Sequence, residues 1–384
     1  MTTANTFDVI VVGGGIMGSA AAYYAARDGA SVLLLEQFDL AHERGSSNDH
    51  SRIIRYAYDH PVYVELMRSA FQLWHELELA SGEQLYIRTG GIDIAHPDQP
   101  TFDTTRQCLL DADIPCELLD ASTAQARFPM FCFDSDMRIL YQPDAGILAA
   151  SRCVKAHLQL AARHGAVIKA NTPVKGITAH QDSVTITADE TYTAKRLILA
   201  SGAWMNNLLA HLNIQLPLEP MGVQLAYFEN SREEQFNAPH MPIFITHLRG
   251  DKSSWVYGIP SIYDSGLKVA FHTGQRVRQV DDIDYTPKEE TIHQLRQFIR
   301  QYLPKADLPL KSTRICLYTM TPDEHFIVDQ HPLHPHVVIA SPCSGHGFKF
   351  GTLIGRMLAD LALTGHTAYD TSLFQIGRFL HQHT

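Results

Sequence analysis

The chain has 384 residues, 45% of them hydrophobic and 19% charged, with a formal net charge of -10. That length and texture fit two or three domain-sized units of an ordinary globular protein and exclude a disordered, collagen-like or coiled-coil chain. The acidic balance leaves no basic footprint for nucleic acid, no apolar run is long enough to span a bilayer, and Met1 to Phe7 carries no mark of a signal peptide, so a cytoplasmic location is expected.

The opening reads as a strand-helix-strand unit. Phe7 to Val12 is a β-branched apolar run suited to a buried parallel strand, Ser19 to Arg27 is an Ala- and Tyr-rich helix ended by Gly29, and Ser31 to Glu36 is a second strand. Phe38 to His60 is polar and aperiodic, and long loops of this kind inside compact domains are usually functional. Pro61 to Ala80 is an amphipathic helix stopped by Gly82. Gln84 to about Leu140 reads as short strands and turns. Ser151 to His164 reads as a helix with Ser151 as its N-cap and Gly165 past its end. Strands are expected at 184–187 and 196–200. Residues 216 to 320 look mostly β, with one helix near 287–302, and the end returns to α/β: a strand at 337–340, a glycine-rich turn and an apolar helix from Phe350 to Leu363. The expected architecture is therefore α/β and α+β. A Rossmann-like domain (1–82, 141–215 and 321–384) is interleaved with a mostly antiparallel β-sheet domain (83–140 and 216–320).

Gly13, Gly15 and Gly18 form a Gly-x-Gly-x-x-Gly turn directly after a strand and at a helix start, where glycine permits the tight turn and lets backbone approach a pyrophosphate. Glu36, ending the second strand, can accept from ribose hydroxyls. This predicts an adenine dinucleotide without choosing between NAD and FAD. A second glycine-rich turn, Gly345-His-Gly347, near the far end of the chain favours the extended FAD. Six scattered cysteines fit reduced thiols better than a disulfide framework. His331, His334 and His336, punctuated by Pro332 and Pro335, read as a rigid solvated loop and not a metal site.

Ser46-Ser47, Arg52-Ile-Ile-Arg55, Gly266-Leu-Lys268, Cys316-Leu-Tyr-Thr319, Thr321 to Asp329 and Ser344-Gly-His-Gly-Phe-Lys349 recur in an order that resembles monomeric sarcosine oxidase and N-methyltryptophan oxidase, amine oxidases of the D-amino-acid-oxidase fold group. The resemblance runs over essentially the whole chain. It implies an FAD attached covalently to Cys316, with Ser46 and Ser47 beside the cofactor and Arg52 beside its flavin ring. It also implies that Arg55 and Lys349 clamp the substrate carboxylate, that Lys268 promotes electron transfer to oxygen, and that Tyr257, His272 and Tyr318 line the substrate cavity. Read alone, each of these cations is a solvated surface charge and each aromatic a core residue; the motifs raise them above that. His346 is expected to orient backbone near the flavin.

The resemblance further implies a monomer that acts on a small N-methyl amino acid such as sarcosine and reduces molecular oxygen to hydrogen peroxide. One departure bears on the substrate. Where the sarcosine-type pattern carries a histidine followed by Gly-Asp-Thr, this chain has Asn48-Asp49-His50-Ser51, and an Asn-Asp pair here is similar to fructosyl-amine oxidases. A fructosyl or cyclic (pipecolate-type) amino acid therefore stays open as substrate. So do an amine dehydrogenase with another acceptor and a flavin-binding protein without turnover.

Overall fold

In the computed structural model, residues 5–47, 49–230, 234–250 and 252–380 are described. The first sheet has eight strands and is built around β1 (Thr6–Val12), which α1 (Ile16–Arg27) connects to β2 (Val32–Leu35). β1 lies parallel between β2 and Thr191–Leu199, with Val12 opposite both Leu35 and Leu199. Val167–Lys169 extends the sheet beyond β2, and His334–Ala340 pairs in parallel with the end of Thr191–Leu199. Near-continuous apolar runs such as Val-Leu-Leu-Leu in β2 are what a parallel strand covered on both faces requires. One face takes α1, whose alanines are buried and let the helix Gly351–Thr364 pack closely, Ala20 against Gly355 and Ile16 against Gly351.

The second sheet has nine strands and is mostly antiparallel. Its long pair is Glu219–Phe228 with Leu310–Met320, followed by Leu267–Phe271, Val256–Ile259 and Ile243–His247, which meets Gly91–Ala95 in parallel. Side chains alternate between its faces. Leu267 and Val269 pack with Ile292, Leu295 and Phe298 of the helix Glu289–Tyr302, whereas Ala270 joins Tyr227, Cys316 and Tyr318 on the opposite side. A small third sheet pairs β3 (Arg52–Ile54) and Tyr86–Arg88 with Gly146–Leu148, which places the two motif arginines at the junction.

Three local expectations need correction. The 84–140 region contains two helices, Pro100–Asp111 and Ala121–Arg127. The first buries only Phe102 and Leu109 and so leaves a weak periodic signal; the second is short and starts where the Asp120 carboxylate accepts from Thr123 N at 2.7 Å. Ser151 is not an N-cap: the helix runs Ala150–Arg163, and the Ser151 hydroxyl instead donates to Asp49 O at 2.8 Å. The histidine-proline segment is a tight hairpin between Val328–His331 and His334–Ala340, not a solvated loop. His331 and His336 are buried there, and His331 Nε2 lies 3.2 Å from Leu212 O.

Candidate active site

A cavity of about 580 Å³ is lined by residues of both large sheets and of the 38–60 segment. The glycine turn lies along it. Gly13 has φ +106°, and a Cβ there would stand 2.5 Å from Ala200 O; at Gly18 a Cβ would fall 1.9 Å from Gly13 O, so both positions admit only hydrogen. Glu36 closes the turn: its carboxylate accepts from Gly14 N at 2.7 Å and from Phe38 N at 2.9 Å, with His42 Nε2 at 3.4 Å. Burial alone would raise this carboxyl, but those hydrogen bonds outweigh it and hold it below its usual range. The Ser47 hydroxyl accepts from the first amide of α1, Ile16 N, at 3.0 Å.

Two lining residues, Arg52 and Lys268, belong to a charge cluster centred on Asp49, whose side chain is wholly buried. One carboxylate oxygen accepts from Lys268 Nζ and from Arg52, each at 2.5 Å; the other accepts from Arg314, Tyr227 Oη and, at 2.7 Å, His50 N. Burial opposes ionisation, yet the three cations keep Asp49 far below the ordinary carboxylate range. Lys268 is pushed down to about 8 by burial, with Arg52 adding to the shift and Asp49 opposing it. Arg52 also donates to Ser46 O at 2.9 Å, and its guanidinium lies 3.5 Å from Cys316 Sγ.

A second pair of cations stands further along the lining. Arg55 is paired with Asp93, which also receives His247 Nε2 at 3.4 Å. Lys349 is different: Nζ donates to Tyr58 Oη at 3.0 Å and to His346 O at 2.8 Å, both neutral oxygens. Burial, and then repulsion from Arg55, holds its amine well below the usual lysine range. His272 is pushed down to about 4, chiefly by burial, so its imidazole is neutral near pH 7. Tyr257 and Tyr318 are raised by burial and act as neutral phenols. His247 Nδ1 and Trp255 Nε1 are buried without a hydrogen-bond partner, and both residues line the cavity. Arranged this way, the cavity can bind an anion at the second cation pair and stabilise negative charge at the first.

The family described as FAD dependent oxidoreductase matches residues 8–361. The chain belongs to this family. It is 37% identical over 380 residues to a monomeric sarcosine oxidase from Bacillus sp. (strain NS-129), covering 97% of each chain. To the N-methyl-L-tryptophan oxidase of Yersinia pestis (strain Pestoides F) it is 31% identical, over 97% of this chain and 99% of that one. Among solved structures, NikD, an unusual amino acid oxidase essential for nikkomycin biosynthesis, superposes with a TM-score of 0.87 at 24% identity, covering 97% of this chain and 98% of that one. The fold is thus that of the D-amino-acid-oxidase type expected from the motifs.

The lining suits FAD on its own terms. The glycine turn leaves no room for side chains where a pyrophosphate approaches, α1 presents its N-terminus there, and the Ser341 hydroxyl on the same lining is buried without a partner. Of the residues singled out for the cofactor, Gly13, Gly15, Glu36, Ser46 and Ser47 line the cavity, as do Cys316, Gly345 and Gly347. Gly18 is packed against the turn behind the lining. Arg52, Arg55, Lys268, Lys349, Tyr257, His272 and Tyr318 line it too. His346 sits between Tyr58 Oη and Glu324 O, both 3.1 Å from its ring nitrogens, and so ties the Gly345 turn to its surroundings. Asn48 lies outside the described residues. Asp49, Asp93, Tyr227, His247 and Arg314 escaped the sequence reading. Asp49 was the one of them visible in the sequence, within the departure from the sarcosine-type pattern, and that departure pointed at the substrate and not at the cation cluster that Asp49 forms. Among the described residues no group of three or more His, Cys, Asp or Glu side chains could hold a metal, and no helix is long and apolar enough to cross a membrane.

Proposed function

We propose that this chain oxidises a secondary amine, an N-methyl amino acid such as sarcosine, and works as a cytoplasmic monomer. The observation that carries the reading is Lys349: a buried cation beside Arg55 that has only neutral oxygens for partners, and so can gain a carboxylate. When bound, FAD supplies the two-electron acceptor, so that hydride leaves the carbon next to nitrogen, the imine is hydrolysed to an aldehyde and a primary amine, and oxygen is reduced to hydrogen peroxide.

The residues divide the remaining tasks. Arg55 and Lys349 bind the carboxylate and so fix which carbon-hydrogen bond faces the acceptor. His272, neutral at working pH, adds no positive charge that would oppose binding of a neutral or protonated amine. Tyr257 and Tyr318 enclose the site and keep water away from it. Arg52 and Lys268 provide fixed positive charge where negative charge develops on the reduced cofactor and on oxygen. Cys316, with the Arg52 guanidinium 3.5 Å from its Sγ, would hold the cofactor as a thioether.

Anaerobic mixing with sarcosine tests the reading: bleaching of the flavin absorbance supports it, and a flavin that no N-methyl or cyclic amino acid bleaches rejects it. A second reading, a fructosyl amino acid, is favoured by the unpartnered His247 Nδ1 and Trp255 Nε1, since a sugar's hydroxyls can both donate to the imidazole nitrogen and accept from the indole N–H. Faster bleaching by fructosyl-glycine than by sarcosine selects it.

A further inference from the structure

Lys268 is enclosed on every side by groups that bear on its charge. Asp49, the Ser51 carbonyl and Arg52 approach from the 49–52 segment. Tyr227 is its cross-strand neighbour, the Tyr257 ring lies 5.9 Å from Nζ, and Cys316 is contributed by the strand Leu310–Met320. Among these Asp49 is the one carboxylate. It is held rigidly: its backbone N–H points to the Ser151 hydroxyl at 3.4 Å, and its carbonyl accepts from Ser151 Oγ and N at 2.8 and 3.1 Å. Three cations and one carboxylate leave the cluster at a formal charge of +2. Arg314 is the most exposed of its cations, and its guanidinium also approaches Glu43 at 3.9 Å.

We infer that Asp49 is the positioning residue of this cluster: by holding Lys268 and Arg52 on one oxygen and Arg314 and Tyr227 on the other, it keeps an enclosed lysine cationic and facing the cavity. The inference rests on the oxidase reading only in giving that cation a purpose; the pairing itself is a matter of charge. A lysine shut away from water beside an arginine loses its proton readily unless a carboxylate compensates. Asp49 is not among the residues that line the cavity, so it acts through Lys268 and Arg52, which are.

The test uses flavin-loaded protein and sulfite, whose affinity for bound flavin rises with nearby positive charge. Wild-type affinity should fall as pH rises through about 8, where Lys268 deprotonates. Lys268→Met should lack that step and gives the baseline set by sulfite's own titration. Asp49→Asn, nearly isosteric, should move the step down by about one pH unit or more, and Arg314→Gln, which frees Asp49 of a competing cation, should move it up. A step in Asp49→Asn that coincides with wild type, or one that persists in Lys268→Met, overturns the inference. If Asp49→Asn retains no flavin, Arg314→Gln decides: an upward move supports the pairing and an unmoved step refutes it. Sulfite needs only bound flavin, so a shifted step in a protein that no amine bleaches would sink the oxidase reading while leaving this one standing.

Discussion

Replacing Lys349 by Met separates carboxylate binding from everything else the cavity does. The side chains are similar in length, and the amine's present partners, Tyr58 Oη and His346 O, are neutral, so no counter-ion is stranded by its loss. Folding should therefore be unaffected or slightly favoured, because a buried amine has been removed. Binding of a carboxylate ligand should suffer the loss of one charge-assisted hydrogen bond, about 1.5–3 kcal/mol, or about 10- to 150-fold in Kd. The sign of the pH effect follows from the depressed amine. Burial depresses the free amine and a bound carboxylate favours its protonated form, so over the range in which the free amine titrates binding takes up a proton and weakens as pH rises, approaching about tenfold per pH unit. Titration of flavin absorbance with acetate and with acetamide measures both effects. Wild type should show a pH-dependent Kd for acetate alone, and Lys349→Met a weaker one with that slope abolished. Equal acetate affinity in the two proteins, or an equal loss for acetamide, refutes the assignment of Lys349 as a carboxylate ligand.

Lys268→Met should slow reoxidation of reduced flavin by oxygen about 100-fold or more while changing anaerobic reduction by amine much less, as stopped-flow absorbance in the two half-reactions will show. Cys316→Ser should release its flavin on acid precipitation, whereas wild type should keep flavin mass on the Cys316 peptide. Asp93 is buried, but Arg55 and His247 hold its carboxyl below the usual range. It therefore stabilises the fold above its unfolded pKa of about 3.9, and that contribution is lost as pH falls through the lower folded value. Asp93→Asn should cost about 3 kcal/mol at neutral pH and flatten the acid limb of the Tm-versus-pH curve; an unchanged neutral Tm counts against the pair.

The strand-turn-helix around Gly13 to Gly18 was legible because its chemistry is local: three glycines and Glu36 meet within a few dozen residues. Lys268, Cys316 and Lys349 were legible only through motifs, since nothing in their own spacing says that two sheets will turn them toward one cavity. Asp49 was not legible as a cluster centre. Its partners Lys268 and Arg314 lie 219 and 265 residues away, and no periodicity connects them. Asp93 was masked for a related reason. Set among apolar neighbours in Gly91–Ala95, it reads as the solvent-facing residue of an alternating strand, whereas that face of the sheet closes over the cavity. The helices within 84–140 were hidden by polar composition, and Ser151 looked like a cap because it sits at a helix start, whereas its hydroxyl is spent on a segment a hundred residues earlier.

Oxygen uptake with sarcosine as sole substrate tests the central claim most directly. The account predicts one equivalent each of hydrogen peroxide, formaldehyde and glycine per oxygen consumed. Flavin reduction by sarcosine without peroxide would contradict the oxidase assignment, and absence of formaldehyde would contradict oxidation at the N-methyl carbon.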